Sequence, residues 1–202
     1  MNKSEVKKKG TNTTETIKKE NQRVVLTKQL LKEALISLLK EENIYKISIR
    51  RLCDIAGINR STFYKYYGSQ YELLTDMENE ILSYIQENVE DIASGIVVQN
   101  IERLTVILSY LEKNSELAQL LLNNNVDPDF PKKLIDLPQI QDAIRRGIAN
   151  KYDEAYQDYI FTFIIYGGYN LIKEWINKEN RESAETMARL MTATIEGLYH
   201  GE

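Results

Sequence analysis

The chain has 202 residues and a mass of 23.5 kDa, with 43% hydrophobic and 28% charged residues, enough for one larger helical domain or two small ones. Nine Gly and three Pro are too few punctuators for a turn-rich all-β fold. One Cys, Cys53, and one His, His200, exclude a disulfide framework and a thiolate metal cluster. Ser-His-Asp or Cys-His chemistry would depend on a base two residues from the end, so neither an enzyme nor a cofactor or metal is expected.

The net charge of −4 is unevenly divided. Residues 1–72 carry 15 Lys and Arg against 8 Asp and Glu, and residues 73–202 carry 11 against 22. A basic third on an acidic body suggests that one end meets a polyanion. No apolar run approaches the ~18 residues that span a bilayer, and the Lys-rich start lacks a signal peptide's apolar core. A cytoplasmic protein without a membrane partner is expected.

In chain order, residues 1–22 read as a disordered basic tail, having almost no large apolar residue. Its lysines are either a solvated tail or an arm toward DNA. Structure is expected from near Leu26, with Thr27 capping a helix whose stripe is Leu31, Leu35, Leu38 and Leu39. Ser48 caps a two-turn helix with Ile49, Leu52, Cys53 and Ala56 at i, i+3, i+4 and i+7, and Gly57 ends it in a left-handed cap. Asn59 caps a third helix, Arg60 to Tyr66. Ser69 starts a fourth through Ile85, and a loop falls near Ser94-Gly95.

A fifth helix ends at Asn114, and a sixth covers Ser115 to Asn123. A seventh runs from about Pro131 to Ala149, with Pro138 restarting or kinking it. The eighth spans Asp153 to Asn177 and the ninth Ser183 to Leu198. The expected fold is all-α, about nine helices, divided into the tail, a helix-turn-helix domain over 23–72 and a helical effector and dimerisation domain over 73–202.

The stretch Ala56-Gly57-Ile58-Asn59 joins two short helices, Gly57 making the turn while Leu52, Ile58 and Phe63 fill the wedge between them. Such a wedge holds a short helix whose polar N-terminal end can face base edges in a major groove. Here that end is Asn59, Arg60, Ser61 and Thr62. Arg60 can reach guanine bidentately, and Thr62, Tyr64, Lys65 and Tyr66 suit phosphate oxygens. A solvated helical corner is the competing reading.

Residues 47–67, Ile-Ser-Ile-Arg-Arg-Leu-Cys-Asp-Ile-Ala-Gly-Ile-Asn-Arg-Ser-Thr-Phe-Tyr-Lys-Tyr-Tyr, resemble the DNA-binding domain of the TetR/AcrR family of bacterial transcriptional regulators. That motif reads approximately T-V-R-D-I-A-x-x-A-G-V-S-R-G-T-F-Y-R-H-F, followed by S-K-x-x-L. Ala-Gly-Ile, Asn-Arg, Thr-Phe-Tyr, the aromatic at 67, Ser69 and Leu73 match in register. The resemblance implies phosphate contacts from Thr62, Tyr64 and Tyr66, base contacts from Asn59, Arg60 and Ser61, and backbone contacts from Ser48 and Arg50. Tyr66 departs from the family's His, and Gln70 from a Lys that opens helix four.

The resemblance also implies a homodimer built on the last two helices and a small-molecule effector. Gly167, Gly168, Leu171, Trp175, Met191 and Ile195 are the expected dimer residues, and no pocket residues are assigned. Tyr156, Tyr159, Ile160, Phe163, Ile164, Leu171 and Trp175 form one helical stripe of the eighth helix. The tyrosines of the second domain are read either as core or as the lining of an amphipathic pocket. Residues 166–176 are similar to one branch of the family that includes regulators of dihydroxyacetone metabolism, which adds a protein co-regulator as an alternative partner. The implied function is a repressor released from a palindromic double-stranded DNA operator. The alternatives are a helical protein-interaction module or a co-regulator-dependent activator.

Overall fold

In the computed structural model the described residues are 3–89, 97–123, 125–149 and 151–199, with side chains described over 21–89, 100–123, 125–149 and 151–197. They form ten α-helices and a single 3-10 turn, with no strand among them. The chain divides into two compact units, Met1–Asp76 and Met77–Glu202. The loop expected near Ser94-Gly95 and the terminal His200 lie outside the described residues.

The first unit contains α1 (Lys3–Leu39), a 3-10 turn (Ile44–Lys46), α2 (Ile49–Ala56), α3 (Arg60–Phe63) and the start of α4 (Gln70–Val89). Leu31, Leu35, Leu38, Leu52, Phe63 and Leu73 are fully buried. The stripe read from the sequence is therefore the face of α1 that packs on α2. α1 begins far ahead of the expected start, and its backbone passes through the segment read as a disordered tail. No Gly or Pro occurs between Thr11 and Leu39, and Lys and Glu are good helix formers, so nothing local stops the helix there. Thr27 consequently sits inside a helix and caps nothing.

The second unit holds the rest of α4, then α5 (Val97–Lys113), α6 (Ser115–Leu122), α7 (Phe130–Ile135), α8 (Pro138–Ala149), α9 (Glu154–Asn177) and α10 (Ala184–Tyr199). α10 packs on α5, while α6 and α8 pack on α9. Leu108, Leu121, Phe130 and Trp175 are at its centre. The single seventh helix expected from the sequence is two helices, because Pro138 occupies the first position of α8, where its missing N–H costs nothing and its fixed φ favours a start.

Gly57 ends α2 with φ 65° and ψ 27°, and the Ile58 N–H bonds back to the Cys53 carbonyl at 3.0 Å, which closes the cap. A side chain at this φ is strained whatever room surrounds it. Gly57→Ala should lower the unfolding free energy by about 1–2 kcal/mol, read by chemical denaturation.

Candidate nucleic-acid interface

α2 and α3 are set by two side-chain caps. The Ser48 hydroxyl accepts the Arg51 N–H at 3.2 Å, and the Asn59 side-chain oxygen Oδ1 accepts the Ser61 N–H at 2.9 Å, each satisfying an otherwise orphaned donor. The Ser61 hydroxyl also bonds to Asn59 Oδ1, at 3.0 Å. α3 is shorter than the expected Arg60–Tyr66. Beyond Phe63 the Lys65 and Tyr66 N–H groups bond three residues back, to Thr62 and Phe63, so the last turn tightens to 3-10 geometry.

Phe63 of α3 is wholly buried, as are Leu52 and Cys53 of α2, and the two helices pack on each other. The Phe63 ring meets Tyr64 edge-on at 5.6 Å and Tyr67 at 5.9 Å. Burial, then Asp54, pushes the Cys53 thiol up despite the opposing pull of Arg60, so it stays protonated and acts as a small core residue.

Every residue expected to meet DNA lies outside this core. Ser48, Arg50, Asn59, Arg60, Ser61, Tyr64 and Lys65 are exposed, and Thr62 and Tyr66 are half-buried. Arg60 and Lys65 make no ion pair among the described residues. Arg50 lies 3.8 Å from Asp54, both side chains over 70% exposed, a pairing too weak to hold the guanidinium. Arg51, by contrast, is tied to Glu41 and Glu42. Two exposed residues were not anticipated, Tyr45 and Lys46 on the 3-10 turn. An aromatic next to a Lys between Asn43 and Ser48 was the available signal.

Tyr67 is an anchor: it is buried and its hydroxyl donates to Asp76 Oδ2 at 2.7 Å. Lys32 and Lys28 lie 3.4 and 3.6 Å from the same oxygen. Burial pushes the Asp76 carboxyl up, but the Tyr67 hydrogen bond and the two ammonium groups outweigh it and hold it below the usual range. The start of α4 is thereby fixed to α1. Ser69 caps α4 by accepting the Glu72 N–H, while the Glu72 carboxylate reaches back to the Gly68 N–H at 2.8 Å, a reciprocal arrangement close to a capping box. Gln70 reaches the Ile44 carbonyl at 3.5 Å.

In the second unit a cavity of about 200 Å³ lies among α4–α10. Its walls are mostly aliphatic, with Phe130 the one phenylalanine; of the described second-unit tyrosines only Tyr169 reaches it, and Tyr84 and Tyr110 stack on each other at 3.7 Å. A tyrosine-lined pocket is therefore not what forms. Of the residues expected at a dimer contact, Gly168, Met191 and Ile195 line this cavity. Trp175 is buried, its indole N–H donating to the Glu182 carbonyl at 2.8 Å. These four turn inward, because 100° per residue sends neighbours such as Gly167 and Gly168 to different sides of one helix. Gly167 is exposed and Leu171 half-buried. The face of α9 left open is aromatic: Tyr156, Tyr159, Phe163 and Tyr166 are all more than half exposed, at spacings of three and four. Leu190 of α10 is also exposed.

Among the described residues of the second unit one charged side chain is buried. Glu78, 2% exposed, accepts from Lys133 at 2.8 Å, and Lys133 also donates to Asp127 at 2.6 Å. Burial pushes the Glu78 carboxyl up, with Lys133 opposing. Among the described residues no three His, Cys, Asp or Glu gather as a metal site. None of the described helices is long and apolar enough to cross a membrane.

A family model of the transcriptional regulator C-terminal region, of TetR type, matches residues 99–197. Together with the helix-turn-helix geometry of the first unit, this decides the family. The chain belongs to the TetR family of transcriptional regulators. Members of that family are transcription factors, not enzymes. The chain is 27% identical over 143 residues to the dhaKLM operon transcriptional activator DhaS of Lactococcus lactis, covering 69% of this chain and 72% of DhaS. It is 22% identical over 163 residues to the uncharacterized HTH-type regulator YxbF of Bacillus subtilis, covering 79% of this chain. It spans 42% of YxbF's length. The solved structure of the TetR-family regulator PfmR from Thermus thermophilus superposes with a TM-score of 0.61 at 20% identity, over 82% of this chain and 96% of PfmR. Likeness at that identity shows the fold.

Removing Lys133 leaves the buried Glu78 without its cation, so Lys133→Met should be destabilising at neutral pH by about 1–3 kcal/mol. Because the Glu78 pKa lies above its unfolded value of about 4.3, the folded state takes up a proton as pH falls. The deficit should shrink as pH is lowered toward 4.3 and persist above neutrality, which denaturation at several pH values will read. Lys133→Met with Glu78→Gln should recover part of the loss.

Proposed function

We infer that the chain is a cytoplasmic, homodimeric repressor that binds double-stranded DNA through α3 and its cap, and leaves its operator when an effector occupies the second unit. The observation that carries this is the arrangement around Phe63: a buried wedge presents Arg60, Ser61, Thr62 and Tyr64 outward, with Arg60 free of any ion pair among the described residues. In this reading Arg60 reads a base edge beside Asn59 and Ser61. Thr62, Tyr64, Lys65, Tyr66, Ser48 and Arg50 take phosphate oxygens. Tyr45 and Lys46 add two more candidates for the backbone.

The dimer surface in this reading is the aromatic face of α9 with Leu190, Gly167 and Leu171 at its edge. Four adjacent exposed aromatics on one helix suit burial against a second copy. Two copies related by a two-fold would place their α3 helices one helical turn apart, about 34–36 Å, on a palindrome. An effector that favours a different subunit arrangement would weaken DNA binding through a coupling of about 1–3 kcal/mol. The DhaS relative is named a transcriptional activator, which favours activation as a second reading. Reporter expression from the operator in the presence and absence of the gene separates the two.

Binding to DNA flanking the chain's own gene should be site-selective and should weaken roughly 10³–10⁵-fold between 50 and 200 mM salt. Arg60→Ala with Tyr64→Ala should abolish selective binding while the thermal transition and the dimer persist. Unchanged binding would overturn the assignment. Tyr159→Lys with Phe163→Lys, both at exposed positions, should convert the dimer to a folded monomer in light scattering and weaken operator binding.

A further inference from the structure

The cavity in the second unit differs from an ordinary packing defect in both size and chemistry. Native interiors contain few voids larger than a water molecule, whereas this one measures about 200 Å³. A cavity of about 150 Å³ lined by aliphatic and aromatic groups stays dry and takes up benzene. The walls here are Ile81 and Ile85 of α4, Ile107 and Leu111 of α5, and Phe130 and Leu134 of α7. Among the described residues no charged side chain lines it. The only hydroxyl on the described wall, that of Tyr169, already donates to the Leu122 carbonyl at 2.7 Å, and burial pushes its pKa up. Water would find almost no partners inside, and an ion would lose its hydration with nothing in return.

Gly168 gives the cavity part of its room. A Cβ at this position would meet only the terminal methyl of Met191, at 3.8 Å, so the helix is glycine here without any backbone requirement for it, as its φ is ordinary helix. A larger side chain would grow into the void. Met191 is itself a flexible, adaptable wall.

We propose that this cavity binds an uncharged hydrocarbon group, aliphatic or aromatic and of about eight carbons by comparison with the benzene-sized case, and that this ligand is the effector. The effector role rests on the regulator reading; the binding itself does not. Recognition is by shape and carbon burial, so affinity follows chain length and falls when a charge is added to the enclosed part. Polar three-carbon metabolites have nothing to bond to at this site.

The test uses the whole 202-residue chain, with 1-octanol, octanoate at neutral pH and glycerol as probes, and double-stranded DNA flanking the chain's own gene. Octanol should raise the Tm by roughly 5–10 °C at a hundredfold excess over its Kd, octanoate should bind at least tenfold more weakly, and glycerol should cause no shift. Gly168→Leu should keep or raise the Tm of the free protein, since it removes a helical glycine, and should lose the octanol shift. Octanol should also change the affinity for the DNA. Failure of octanol to bind while DNA binding is intact overturns the cavity assignment and leaves the regulator reading standing. Equal binding of octanoate, or octanol binding to Gly168→Leu as tight as to the natural chain, overturns it as well. Octanol binding that leaves DNA affinity unchanged overturns the effector role. Octanol binding by a protein with no affinity for DNA supports the ligand assignment and counts against the regulator reading alone.

Discussion

The left-handed conformation of Gly57 is the constraint on which the first unit depends. It ends α2 after only eight residues and turns the chain so that Asn59 can cap α3. Phe63 then enters the space between the two helices and is entirely lost from solvent. Burying a phenylalanine stabilises by about 1.5–3 kcal/mol, a large contribution for a helix of four residues that could not persist alone. The polar side chains of α3 face outward because the apolar one faces inward. The exposed face of α3 and the packing of its core are thus a single arrangement.

α4 joins the two units in sequence, and its charged residues are held differently on the two sides of the boundary. Asp76 sits among Lys28, Lys32 and the Tyr67 hydroxyl at a partly exposed site. Glu78, two residues on, is buried and relies on one lysine shared with Asp127. A carboxylate taken out of water needs its partner far more than one at the surface. α7, which carries Lys133, also supplies Phe130 and Leu134 to the cavity wall. The packing of that short helix therefore bears on the ionic clamp to α4 and on the void at once.

Features set by local chemistry were legible from the sequence. Ser48, Gly57, Asn59 and Ser69 mark helix ends through their own backbone preferences and hydrogen bonds, and α2 falls where they place it. The periodicity of Leu31, Leu35 and Leu38 likewise identified the inward face of α1. What was not legible depended on partners distant in the chain. α9 is apolar on several sides, so its pattern could not tell the buried Trp175 and Ile164 from the exposed Tyr159 and Phe163; the packing of α6, α7, α8 and α10 decides which side is covered. The cavity arises from side chains on seven helices, and no short pattern announces it. The tyrosines, prominent in composition, mostly stack or face outward.

On the proposed DNA-binding reading, the double duty of Asn59 would narrow how recognition at this surface can diversify. Its side-chain oxygen is committed to the Ser61 N–H and hydroxyl, which leaves only the amide nitrogen to meet a base. Aspartate would keep the cap and lose that donor; alanine would lose both. Ser61 is bound into the same knot through its hydroxyl. Arg60 alone at this end of α3 combines an uncommitted head group with no part in holding the fold. In a lineage carrying this architecture, inherited shifts in operator preference would accumulate first at position 60, with 59 and 61 following only where a substitute preserves the helix start.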